Sequence, residues 1–209
     1  MRHSGFGDHD DVGPALRLRR LGDPRASISA AEIGTLVLCG AAAAISVGFV
    51  KLGLRIPGHV IVLAALPMAF GFVLAPRRLA GTIMGAGAFG TAAALRAAGL
   101  DGFGTGSFTS LNLIGPCLDV AVLAAQSGWP LYLGLVCSGI AANLLALASR
   151  SGGKLLGLDG PGTRPIATWL SEASVTYAVS GAVAGLLVAA AWYCRSREPR
   201  DPSAPESSA

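Results

Sequence analysis

The chain has 209 residues, 52% of them hydrophobic and only 13% charged, with 29 glycines and a formal net charge of +4. That balance lies outside the usual range of soluble domains and excludes a disordered or nucleic-acid-binding protein. Charge is also segregated, since residues 1–29 and 195–209 hold eight of the 16 basic and seven of the 12 acidic side chains. The stretch between them suits lipid, and its basic residues read as topology anchors beside apolar segments rather than as a polyanion site.

In chain order, the first 29 residues place an acidic patch (Asp8, Asp10, Asp11) before a basic one (Leu16 to Arg20), with too few apolar residues for a core. A mobile tail is expected there. The first apolar run is too long for a secretory-signal core, so a cleaved signal is not expected. Six apolar segments of membrane-crossing length follow, bounded by Gly, Pro and charge clusters. They run from Ala30 to Val50, His59 to Ala75, Leu79 to Ala98, Ser107 to Ala125, Trp129 to Ser149 and Thr168 to Cys194. Continuous runs such as Leu36 to Ala44 and Val183 to Ala191 favour helices over the alternating strands of a barrel. The expected fold class is an all-α polytopic membrane protein, a six-helix transmembrane bundle over residues 30–194 with disordered cytoplasmic tails, the second over 195–209.

Lys and Arg set the orientation, because their translocation is disfavoured. With the N-terminus inside, ten basic residues, among them Arg77 and Arg78 in a tight turn after Pro76, stay on the cytoplasmic side. Lys51, Arg55, Arg96, Arg150, Lys154 and Arg164 fall on the other. Both termini are expected in the cytoplasm of a cell-membrane protein.

Small residues allow helices to approach closely in lipid. The pairs Gly81/Gly85, Gly181/Gly185, Ala30/Gly34 and Gly40/Ala44 share this spacing, and an internal role is the first expectation for each. The Gly-rich stretch Ser151 to Leu155 lacks the Ser or Thr of a phosphate-binding loop and reads as a flexible loop. Asp101 to Gly106 follows no strand, so a dinucleotide fingerprint fails on context. Cys39, Cys117, Cys137 and Cys194 show no CxxC spacing and are expected as buried free thiols.

Polar side chains inside apolar segments are costly and so mark candidate sites. Glu32 and Arg96 sit at segment ends, where they reach water. His59, Asn112, Asp119, Asn143 and Glu172 fall, by depth, between the outer surface and the midplane, which points to a hydrated pocket opening outward. Pro116 removes the helical hydrogen bond to the carbonyl of Asn112, and broken backbone at membrane depth requires protein or a cavity beside it. Asp119 and Glu172 would make the pocket acidic and favour a cationic or amine-bearing ligand, or a metal substrate if His59 and Cys117 joined them. Metal-ligand spacing is absent, so no metal or other cofactor is expected. No nucleophile–base set is present either, and an enzyme is not expected.

Six short helices, cytoplasmic ends and an outward polar pocket together resemble the substrate-binding S components of energy-coupling factor transporters. The stretch from Ile56 to Gly85, with its inner turn after Pro76, is similar to their second and third helices, and the Ala30/Gly34 face resembles the alanine motif by which their first helix docks on a membrane coupling subunit. The resemblance covers residues 30–194. It implies capture of a scarce, vitamin-like small molecule in the bilayer, with the coupling subunit and separate ATPases as partners. The chain departs from the metal-type members, which carry Met-His just before the first helix, whereas here Met1-Arg2-His3 opens a long tail. A self-contained channel or secondary transporter, and a ligand-free membrane scaffold, are the competing readings.

Overall fold

A computed structural model of the chain describes residues 28–50, 58–100, 103–125, 128–156 and 166–196. The expectations for both tails, and for the connections that carry Lys51, Arg55 and Arg164, lie outside the described residues. The described residues form six helices and no strand: α1 (Ala30–Phe49), α2 (Val60–Leu74), α3 (Ala80–Ala97), α4 (Thr105–Ala124), α5 (Trp129–Leu155) and α6 (Ile166–Ser196). Four of them, α1, α4, α5 and α6, are long and apolar enough to cross a membrane, while α2 is a shorter apolar helix.

Local signals explain where the helices begin. Ser29 caps α1 by accepting a hydrogen bond from the Glu32 backbone N–H, and the Glu32 carboxylate accepts one from the Ser29 backbone N–H in return. Two orphan donors of the first turn are thereby satisfied. Between α2 and α3 the chain turns within a few residues, and Leu79 takes the left-handed conformation, φ 66°, to aim α3 back along α2. That conformation is unfavourable for a side chain with a Cβ. A contact described below holds it.

The Gly-rich stretch after Arg150 is helical instead of a flexible loop, and α5 runs through Ser151, Gly152 and Gly153 to Leu155. Two interactions counter the low helix propensity of the two glycines. The Ser151 hydroxyl donates to the Leu147 carbonyl, and the cations of Arg150 and Lys154 lie over the ring of Trp169 on α6.

The helices close into a ring in the order α1, α3, α4, α5, α6, α2, with α2 packing back on α1 and leaning across to α4. Glycine seams make this possible. A Cβ at Gly40 of α1 would collide with the α3 backbone at Met84 and Ala88. One at Gly81 of α3 would strike Gly115 of α4, and one at Gly139 of α5 would strike Gly181 and Gly185 of α6. Three of the four small-residue pairs are therefore used inside the ring. The fourth is not: Ala30 and Gly34 are exposed, and a Cβ at Gly34 would meet nothing within 4 Å.

Leu36, Ile61, Met68, Phe72, Met84, Leu111 and Leu118 fill the interior. The outer surface is no less apolar, since Leu38, Phe49, Phe70, Val120, Val175 and Leu186 are all more than half exposed. A water-soluble monomer rarely exposes apolar surface on this scale, whereas lipid accepts it. All four cysteines are free, as expected, but none is fully buried: Cys39 and Cys117 are partly buried, and Cys137 and Cys194 are exposed on the outer surface.

Candidate functional site

Sequence-adjacent helices run antiparallel, so the bundle has two ends, and the polar residues divide between them. At one end lie the start of α1, the α2–α3 turn and the finish of α4. Arg77 from the turn pairs with Glu32 of α1, Nη2 to Oε1 2.9 Å. Nearby, Asp119 of α4 is buried and its carboxylate caps the first turn of α3. Oδ1 accepts from the Gly81 N–H at 2.8 Å, and Oδ2 accepts from both the N–H and the hydroxyl of Thr82 at 2.6 Å. An anion is well placed at a helix N-terminus, whose backbone donors lack intrahelical partners. This cross-helix cap does the work that Leu79, with no polar side chain, cannot do at the N-cap, and it holds the left-handed turn in place.

The opposite end gathers the finish of α5 with the starts of α2, α4 and α6. At its base is Asn143 of α5, fully buried. Its amide nitrogen donates to the carbonyl of Tyr177 on α6 at 2.7 Å and to the carbonyl of Gly58, just before α2, at 3.3 Å. Its amide oxygen accepts from the Ser110 hydroxyl of α4 at 3.5 Å. One side chain thus ties four helices. Gly58 has φ +86°, and a Cβ there would press on the Asn143 amide and the Tyr177 ring, so the close approach and the left-handed backbone both call for glycine.

Depth gives the junction its interest. Asn143 lies 12 residues before the last residue of α5, roughly 18 Å along the axis, and Tyr177 lies 11 residues into α6, roughly 16 Å, at 1.5 Å rise per residue. Helix α2 begins at this level, far below the ends of α5 and α6, and its N-cap residue His59 makes no side-chain cap. Above the junction, the Arg150 guanidinium approaches the Tyr177 hydroxyl at 3.5 Å, and Thr109 of α4 donates to Ser149 of α5 at 3.0 Å.

Comparison with known family models, curated proteins and solved structures returns no match.

The five sequence-derived candidates do not converge on one chamber. Asn143 holds the carbonyl of Gly58, the residue before His59, and Glu172 is exposed on α6 one turn beyond Trp169, at the same end. Asn112 points out of the bundle, and its carbonyl faces Gly85 across the α3–α4 seam, where the missing methyl lets the backbones touch. Asp119 is nine residues beyond Ser110 on α4, about 13 Å further along the axis, with its oxygens already engaged by α3. Ser110, Thr82 and Tyr177 were missed. Hydroxyls in an apolar run were their signal, and it is weak because Ser and Thr also satisfy themselves on their own helix. Among the described residues, no group of three His, Cys, Asp or Glu side chains is placed to hold a metal.

Proposed function

We propose that this protein is a six-pass, membrane-embedded substrate-binding subunit for uptake of a small molecule, of the kind the S components of energy-coupling factor transporters represent. The observation that carries the reading is the start of α2 at the depth of Asn143. Helix ends at membrane depth are tolerated against protein or a polar cavity, and transporters place their binding sites at such interrupted helices. The ligand would sit above the Asn143 junction, between α5 and α6 and the start of α2, with His59 and Glu172 at its margin. With both termini cytoplasmic, as the Lys and Arg bias favours, this end opens outward.

The acidic character expected of the pocket loses its basis in Asp119, which serves the opposite end. The described charges at the Asn143 end are Arg96, Arg150, Lys154 and Glu172, so a cationic or metal substrate is not proposed. Partner docking is supported by the Ala30/Gly34 face, the one small-residue pair the ring leaves unused, which offers a close-packing surface to a coupling subunit that works with ATPases.

The test is native and denaturing mass spectrometry of gently purified protein. A stoichiometric small molecule, retained by the wild type and lost from Asn143→Leu while the helical circular dichroism persists, is the expected result. A ligand kept equally by both would remove the junction from the site. Solute flux through the reconstituted protein alone would favour a self-contained transporter instead.

A further inference from the structure

Above the proposed site, two cations share one aromatic ring. The guanidinium carbon of Arg150 lies 5.4 Å, and the ammonium of Lys154 4.4 Å, from the centre of the Trp169 ring. Both cations come from one face of α5, four residues apart, where like charges repel. No carboxylate among the described residues pairs with either, since the described ion pair is Glu32 with Arg77 at the other end. The indole satisfies both cations in part through its π-system. Most of their N–H donors remain available, because a guanidinium carries five and an ammonium three.

The surroundings are apolar in a particular way. Leu155 and Leu156, immediately after Lys154, are 74% and 77% exposed, and Leu170, beside Trp169, is 40% exposed. Helix α5 has 27 residues, about 40 Å, which exceeds a hydrocarbon core of about 30 Å and carries its last turns into the headgroup layer. A doubly cationic cluster edged by exposed leucines at that level matches a molecule with a phosphate at one end and acyl chains at the other.

We propose that Arg150, Lys154 and Trp169 form a site for the phosphate of an anionic phospholipid. The phosphodiester bridges the guanidinium and the ammonium, relieving their repulsion, and the acyl chains lie along Leu155, Leu156 and Leu170. The site lies above the Asn143 junction, which Arg150 reaches through the Tyr177 hydroxyl, and it stands in either orientation of the bundle.

The full chain, purified in a mild detergent, would be incubated with equimolar phosphatidylglycerol and phosphatidylcholine and the retained lipid counted by native mass spectrometry. The wild type should keep phosphatidylglycerol several-fold over phosphatidylcholine. Arg150→Gln/Lys154→Gln should lose that preference, and the charge-preserving exchange Arg150→Lys/Lys154→Arg should keep it, which separates lost charge from lost fold. Equal retention of the two lipids, or a preference unchanged in the glutamine variant, would overturn the site. Displacement of the lipid by glycerol 3-phosphate at matching concentration would also overturn it, by showing that a soluble phosphate compound suffices.

Discussion

Replacing Asp119 by Asn keeps the side chain's size but leaves one acceptor oxygen for three donors and turns an amide nitrogen toward N–H groups. The loss of a buried charge-assisted cap should lower stability by about 1–3 kcal/mol, read as a fall in the thermal unfolding midpoint in detergent. Thr82→Val removes only the hydroxyl donor, and its effect should be about 0.5–1.5 kcal/mol. If both variants unfold like the wild type, the cross-helix cap contributes nothing. At the other end, Asn143→Leu deletes the bonds to α6, to α4 and to the residue before α2 at nearly constant volume. Interhelical hydrogen bonds in membranes average about 0.6 kcal/mol and reach about 1.7 kcal/mol, so a loss in that range should appear in the same assay. Asp119 shows how far sequence alone goes with single residues. Its cost in an apolar run was legible, but its partner was not, because Gly81 and Thr82 become its neighbours only when α3 and α4 touch at Gly81 and Gly115.

At the scale of helices, two glycines on helix surfaces should respond oppositely to the same added methyl. Gly139→Ala drives a Cβ into the Gly181 carbonyl and Gly185, so α5 and α6 must separate, at about 1–3 kcal/mol. Gly34→Ala meets nothing and removes a flexible residue from α1, which should leave the isolated protein unchanged or stabilise it by up to about 1 kcal/mol. Chemical or thermal unfolding of the two variants side by side decides whether the seams are as asymmetric as the geometry. Six helices and most of their limits were legible because apolar length and Gly or Pro punctuation act locally. The seams were legible as a set, yet which glycine meets which helix depends on ring order, which local spacing does not encode. The end of α5 was misread for the same reason: propensity argues against Gly152 and Gly153, and the tie to Trp169, on the next helix, overrides it. The Ser29/Glu32 capping box depends on no other helix, yet Glu32 was expected only to reach water at a segment end.

For the whole molecule, the antiparallel run of consecutive helices places Ser29 and Ser151 at opposite ends. In a background lacking the four native cysteines, Ser29→Cys and Ser151→Cys should react with a membrane-impermeant maleimide from opposite sides, and in the proposed orientation only Ser151→Cys should label on intact cells. Labelling of both from one side would break the arrangement. Ring closure also bears on how the protein is made. Helix α6 leaves the ribosome after the other five described helices, yet it must dock against α2, made about a hundred residues earlier, before Asn143 acquires the Tyr177 carbonyl as a partner. Until then a polar amide stands half-satisfied on an open-sided bundle. An incompletely synthesised or truncated chain thus carries its own chemical mark of incompleteness, of the sort that membrane chaperones and proteases can recognise, and the finished ring conceals it.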